Sequence, residues 1–367
     1  MRVHFIAIGG SAMHNLAIAL QLNGYTVSGS DDEIFEPSKS RLQKYGLLPK
    51  KEGWYPEELN SDIDAIILGM HAKPDNPELA RAKGLGLKIY SYPEFLYYHS
   101  KNKKRVVIGG SHGKTTITGI VMHVLKKEGL DFDYLVGSKL KDFDVMVRLS
   151  KEAPVMVFEG DEYLSSPIDR RPKFHWYKPE IALLSGIAWD HINVFPTVEN
   201  YIEQFGIFID LIEKNGTLIY NQDDIELKNL VENRRNDLKK YTYSIPEYKI
   251  KNGITSILFK NKSFPIKIFG KHNLANINGA RLVCNVLGIS DESFFENVTS
   301  FDGTANRLEL VRNTGDKFLF KDFAHAPSKV IATVNAVKEQ FPAYQLVACL
   351  ELHTFSSLNS EFLSQYE

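Results

Sequence analysis

The sequence predicts an α/β protein of more than one domain, and three observations carry that expectation. Two glycine turns, Gly9-Gly10-Ser11 and Gly109 to Thr116, each follow an apolar strand-like run and precede a helix-like run. Strand-like and helix-like runs then alternate as far as Leu287, the order that builds parallel sheets. A chain of 367 residues is also longer than one hydrophobic core ordinarily serves.

The first element is the buried-strand pattern Val3 to Ile8, followed by the glycine turn and a helix from Ala12 to Leu22. A second strand, Tyr25 to Gly29, ends at Ser30-Asp31, which completes a βαβ unit with an acid after its second strand. His14 stands where a GxGxxG turn has its third glycine, so the unit is either a nucleotide site or a plain packing crossover. Ala65 to Gly69 and Leu87 to Tyr90 read as further strands of this sheet, with a helix opening at Pro74-Asp75-Asn76-Pro77 between them. The basic run Lys101 to Arg105 reads as a solvated linker, after which the sheet restarts. Strands are expected at Val155 to Phe158, Ile181 to Leu184 and Thr217 to Tyr220, then a helix at Ala275 to Leu287 and a third segment from about Phe301. Leu346 to Leu350 is strand-like.

Composition excludes several function classes. Hydrophobic content of 43% and charged content of 24% are ordinary for a folded globular chain. The 44 basic and 45 acidic residues leave a net charge of −1, so no global field draws the chain to nucleic acid or an anionic membrane. Polyanion binding has to be local. Cys284 and Cys349 lack metal-ligand spacing and read as packing residues of a reducing compartment. Val3 to Ile8 is too short for a signal-peptide core, and no segment approaches the ~20 apolar residues of a membrane span, so the expectation is a cytoplasmic protein without membrane insertion.

Gly109-Gly110-Ser111-His112-Gly113-Lys114-Thr115-Thr116 is the motif with the most chemical content. Helix-start N–H groups are unpaired and carry the positive end of the helix dipole, so they line up on a polyphosphate. Lys114 would reach the β- and γ-phosphates and the Thr115 hydroxyl would hold Mg2+. Ile108 occupies the first glycine position of the strict spacing, which makes this a compressed variant. Glu159, Asp161 and Glu162 follow an apolar strand, and Asp190-His191 follows another; each set is either a metal ligand group or a helix cap and structural histidine. Asn273 and Asn276, at the opening of a helix, are either caps or amides suited to an adenine edge.

Taken in order, these pieces resemble the Mur ligase family, ATP-dependent enzymes that attach amino acids or peptides to UDP-N-acetylmuramate. The match includes His4 to Gly10 with Ser28 to Asp31, Gly110 to Thr116, Glu159 to Glu162, Asp190-His191, Gly270 to Asn276, Phe301 to Gly303 with Arg307, and Asp322 to Pro327. The resemblance implies a Rossmann-like UDP-binding domain at 1–103, a P-loop ATP-binding central domain at 104–306, and a partial C-terminal α/β domain at 307–367, cut short relative to the family. Asp161-Glu162-Tyr163 with Asp169 to Phe174 and Tyr177 to Pro179 is most similar to the branch that attaches L-alanyl-γ-D-glutamyl-meso-diaminopimelate; the L-alanine-adding branch is the alternative.

Residue roles follow from the resemblance. Gly110, Ser111, His112, Gly113, Lys114, Thr115 and Thr116 would cradle ATP, with Thr115 on one Mg2+ and Glu159 and His191 on a second metal; Lys114, Glu159 and His191 form the catalytic set. Asn273 would contact adenine, Asp322 the ribose, Arg307 the phosphates, and His325 the nucleotide or the incoming amine. Gly9, Gly10, Ser11 and Asp31 would sit by the UDP moiety. The implied chemistry is attack of the lactyl carboxylate on the γ-phosphate with release of ADP, then attack of an amine on the resulting acyl phosphate with release of phosphate. His14-Asn15 replaces the family's glycine pair, Gly186 a common asparagine, and Lys321 and Ala326 an acid and a histidine; Glu203 to Gly206 offers no lysine for carbamylation. Two other classes remain open: a non-catalytic UDP-muramate or nucleotide-binding fragment, favoured by those departures, and a small-molecule kinase, which would not need the first domain.

Overall fold

The computed structural model describes residues 1–189, 193–352 and 366. They divide into two compact units, one of Met1–Arg105, Phe132–Gly137 and Val145–Lys178, the other of Val106–Asp131, Ser138–Asp144 and Pro179–Glu367. Among the described residues no helix is long and apolar enough to cross a membrane.

The first unit opens with β1 (Arg2–Ile6), α1 (Ser11–Leu22), β2 (Thr26–Ser30), α2 (Ser38–Lys44), β3 (Ala65–Leu68), α3 (Pro77–Gly84), β4 (Ile89–Ser91) and α4 (Tyr92–Ser100). Its four strands are parallel in the order β2-β1-β3-β4. β1 and β3 are buried almost throughout because helices cover both faces of a parallel sheet. Helix starts follow local chemistry. Asn76 accepts from the Glu78 and Leu79 N–H groups ahead of α3, and Ser91 with Glu94 forms a capping box at α4. Because β1 has β2 on one side and β3 on the other, the chain reverses direction there and opens a crevice at the carboxyl ends, beside Gly9 and Asp31.

The strand β5 (Lys104–Gly109) leads into α5 (Lys114–Lys127). β6 (Phe132–Leu135), β7 (Val147–Arg148) and β8 (Val155–Glu159) return to the first unit, β6 pairing parallel with β8 and antiparallel with β7. The second unit continues with β9 (Ile181–Leu184), α6 (Val198–Asp210), β10 (Thr217–Asn221), α7 (Ile225–Glu232) and β11 (Lys239–Tyr243), its parallel strands running β11-β10-β9-β5. An antiparallel trio, β12 (Tyr248–Lys251), β13 (Ile254–Phe259) and β14 (Lys262–Ile266), precedes α8 (Lys271–Val286) and α9 (Asp291–Val298), both packed on α5. The hairpin β15 (Glu309–Asn313) and β16 (Phe318–Lys321) and the helix α10 (Pro327–Gln340) complete the elements.

Three expectations are corrected. Leu346 to Leu350 forms no strand, having no ladder partner among the described residues, and Val347 is 83% exposed. Cys284 is buried as expected, whereas Cys349 is exposed. The basic run is not simply a solvated linker. Lys103 is buried with its ammonium 2.6 Å from Asp133 on β6, and the buried Arg105 guanidinium donates to the carbonyls of Ser100, Lys101, Lys103, Tyr177 and Lys178. Sequence adjacency to a loop suggested solvent; the strand arriving from residue 132 supplies the partner.

Candidate active site

The glycine turn after β5 is strapped to the carboxyl end of β9. Ser111 N–H donates to the Gly186 carbonyl at 2.9 Å, Ser185 N–H to that of Gly109 at 3.1 Å, and the Ser185 hydroxyl to that of His112. Gly110 and Gly113 have φ of 124° and 79°, the left-handed region where a side chain is strained. Lys114 curls back over the turn and donates to the Gly110 carbonyl at 2.5 Å. The first turn of α5 holds no acid to compete with an anion. Ser111 Oγ is buried and lacks a hydrogen-bond partner among the described residues. An orphaned donor, a lysine over the turn and a helix start aimed at it fit a polyphosphate.

α8 supplies the opposite wall. Asn276 is buried with its Oδ1 seated where a Cβ on Gly113 would be. Asn273 is buried too, and its amide donates to the Phe269 carbonyl at 2.9 Å, which ties the first turn of α8 to the bend that precedes it. His112 Nε2 lies 2.9 Å from Ser328 Oγ at the start of α10, so the turn meets the segment just past His325. There Asp322 accepts from the Thr333 hydroxyl at 2.5 Å, the Arg307 guanidinium lies 5.5 Å over the Phe323 ring, and His325 Nδ1–H donates to the Phe323 carbonyl at 2.9 Å. That last bond fixes the ring's tautomer. Burial holds His272, beside Asp322, below the usual imidazole range even though the carboxylate pulls it up.

In the first unit, Gly9 N–H donates to Asp31 Oδ2 at 2.7 Å. Burial pushes the Asp31 carboxyl up to about 6, against the Gly9 bond, and Asp32 adds to the rise. His14 and Asn15 are buried beneath the turn. His14 Nδ1 lies 2.9 Å from the Gly10 carbonyl and 3.0 Å from Ser38 Oγ, while Asn15 donates to the Ser11 carbonyl at 2.8 Å and accepts from Met146 N–H at 3.2 Å. These two residues thus brace the turn from below. Burial keeps the His14 imidazole below its usual range, which favours the neutral ring.

Glu159 ends β8 and accepts from Gly137 N–H at 2.6 Å. The loop after it is stapled. Lys173 Nζ pairs with Asp161 Oδ2 at 2.5 Å, over the rings of Tyr92 at 5.7 Å and Tyr163 at 5.5 Å. Burial opposes the Lys173 charge, but Asp161 outweighs it and holds the ammonium above the usual lysine range. Asp190 and His191 lie outside the described residues. Among the described residues, no three His, Cys, Asp or Glu are placed to hold a metal ion together.

Sequence reasoning missed three participants. Ser185 clamps the glycine turn, and its sequence signal is a polar residue directly after a buried strand. Asp224 caps α7 and also takes the Ile187 N–H at 2.8 Å. Its oxygen explains Gly186, whose φ is 152° and whose Cβ would lie 3.0 Å from Asp224 Oδ2. Glu78 is fully buried against His4 and Ser30.

Comparison with known proteins decides the family. Residues 2–104 match the model described as "Mur ligase family, catalytic domain" and 108–284 that of "Mur ligase middle domain". A UDP-N-acetylmuramate–L-alanine ligase of Carboxydothermus hydrogenoformans is 30% identical over 92% of this chain and 73% of its own length. The chain belongs to the Mur ligase family. It is accordingly an ATP-dependent, ADP-forming ligase of the peptidoglycan-building group. The ligase of the same name from a Sulfurihydrogenibium species is also 30% identical, over 98% of this chain and 78% of its own. Among solved structures, a murein peptide ligase from Psychrobacter arcticus superposes with a TM-score of 0.74 at 24% identity, covering 94% of this chain and 77% of that one. The UDP-N-acetylmuramate–alanine ligase of Thermotoga maritima gives 0.71 at 21%, covering 93% and 78%. Those two likenesses establish the shared Mur ligase α/β fold.

Proposed function

We propose that this Mur ligase extends UDP-N-acetylmuramate at its lactyl carboxylate with an amine-bearing acceptor, at the expense of ATP. The buried Ser111 hydroxyl, without a partner among the described residues and inside a turn already strapped to β9, carries the reading, because it is a donor placed to serve an anion. Gly110 to Thr116 bind the triphosphate, and Lys114 leaves the Gly110 carbonyl for the β- and γ-phosphates. Asn273, Arg307, Asp322 and His325 serve the nucleotide, and Gly9, Gly10, Ser11 and Asp31 the UDP moiety. Thr115 holds one Mg2+; Glu159 and His191 serve a second metal, and Lys114, Glu159 and His191 act as the catalytic residues. Bound Mg2+ neutralises the phosphate charge that would otherwise repel an attacking carboxylate. A carboxylate is a poor electrophile, so phosphorylation by ATP, with ADP leaving, creates an acyl phosphate whose carbonyl carbon the amine attacks, forming the amide and releasing inorganic phosphate.

L-Alanine is the acceptor that the names of the sequence relatives support. A tripeptide, L-alanyl-γ-D-glutamyl-meso-diaminopimelate, is the second reading, favoured by the stapled segment from Asp161 through Lys173 to Tyr177, which resembles that branch. ADP release is measured with MgATP, UDP-N-acetylmuramate and each acceptor in turn. Turnover with L-alanine alone supports the first reading and with the tripeptide alone the second. No ADP with either acceptor, at saturating substrates, overturns the proposal of ligation.

A further inference from the structure

The carboxylate of Glu78 is fully buried in the first unit, yet no step of the proposed chemistry uses it. It sits in the first turn of α3 and gathers three separate strands of chain. Oε2 accepts from the Ser30 hydroxyl and lies 3.4 Å from His4 Nε2, and Oε1 accepts from Tyr55 N–H at 2.6 Å. His4 Nδ1 in turn lies 2.9 Å from Ser28 Oγ. The Ser30 carbonyl receives the N–H groups of Ala7 and Ile8, both at 3.0 Å, immediately before Gly9. The carbonyl of Asp31 receives Gly53 N–H at 2.7 Å, so the segment at 53–55 is tied to the end of β2 at one point through Asp31 and at another through Glu78.

The geometry points to Glu78 as a positioning residue for the nucleotide-sugar turn, fixing Ser30-Asp31 and the 53–55 segment relative to Gly9. This rests on the reading of that turn as the UDP site. A buried carboxylate needs its hydrogen-bond donors, and here all of them come from segments that border the turn. The arrangement therefore converts the burial of one charge into the placement of Asp31. Glutamine at this position keeps one acceptor oxygen for Tyr55 N–H but replaces the other by an NH2, which removes the charge and obliges Ser30 Oγ and His4 Nε2 to accept where Ser30 had donated, so the tie to Ser30 is weakened.

The test measures UDP-N-acetylmuramate affinity by calorimetry, with steady-state constants for both substrates, in Glu78→Gln, Ser30→Ala and Asp31→Asn. Ser30→Ala removes one tie without leaving a buried donor unpaired, which covers the case in which Glu78→Gln does not fold. Loss of a charge-assisted bond predicts that Glu78→Gln and Ser30→Ala each raise the Kd and KM for UDP-N-acetylmuramate about tenfold, with KM for ATP and kcat within about twofold. Unchanged Kd in both, with weakened binding by Asp31→Asn, overturns the positioning role while the UDP reading stands. Unchanged Kd in Asp31→Asn as well overturns the UDP reading and the inference with it. A fall in kcat or melting temperature at unchanged Kd assigns Glu78 a structural role only and also overturns the inference.

Discussion

Gly113→Ala tests whether the glycine turn after β5 owes its shape to α8. The residue has φ of 79°, and an added Cβ would run into Asn276 Oδ1 and lie 3.0 Å from its Cγ and 3.2 Å from its Nδ2. Left-handed backbone costs a residue with a Cβ about 1–2 kcal/mol. Asn276 is buried, so its displacement resembles overpacking, about 1–3 kcal/mol more. The sum is about 2–5 kcal/mol. Gly129→Ala is the matched control, since φ is 70° there and nothing lies within 4 Å of the new Cβ, leaving backbone strain alone. At about 2–4 °C per kcal/mol, Gly113→Ala should melt several degrees below Gly129→Ala in a thermal unfolding scan. ATP affinity, measured by calorimetry, should fall in Gly113→Ala and hold in Gly129→Ala. Equal melting temperatures with unchanged ATP affinity would refute the claim that Asn276 shapes the turn.

Lys114→Ala should lower ADP-forming turnover by orders of magnitude while UDP-N-acetylmuramate binding survives in calorimetry, because oriented charge is worth several kcal/mol in the transition state. Asp31 titrates at about 6 in the folded chain, above its ordinary value, so it ionises as pH rises through that point. The carboxylate is the better acceptor for a ribose hydroxyl; KM for UDP-N-acetylmuramate should therefore improve from pH 5 to 7, and Asp31→Asn should flatten the profile. The same raised value means that the folded state is stabilised by the bound proton at low pH and loses that stability as pH climbs through about 6, a trend that Asp31→Asn should remove from the melting profile. Lys103→Met should cost about 3–5 kcal/mol in urea unfolding by leaving the buried Asp133 carboxylate without its partner, and a loss near zero would contradict the buried-pair account.

Features set by local chemistry were legible without the structure. The glycine turns, the strands that precede them and the helices that follow come from short-range patterns, because a buried parallel strand must be apolar and a left-handed turn favours glycine. β1, β3, β5, β8, β9 and β10 all lie where the apolar runs place them. The pairings that give these elements their chemistry are long-range and left no trace in the pattern. Asn276 reaches Gly113 from α8, Ser328 reaches His112 from α10, and Glu78 meets His4 from 74 residues away. Lys103 and Arg105 looked solvated because a sequence window contains neither β6 nor the Tyr177-Lys178 carbonyls. Sequence by itself thus determined the fold class, the family and the glycine turn; the tertiary structure decided which polar groups are paired and which, like Ser111 Oγ, have no partner among the described residues. The physical reason is that hydrogen-bond satisfaction of a buried group depends on whatever the whole chain brings within 3 Å, whereas a turn depends only on its own backbone.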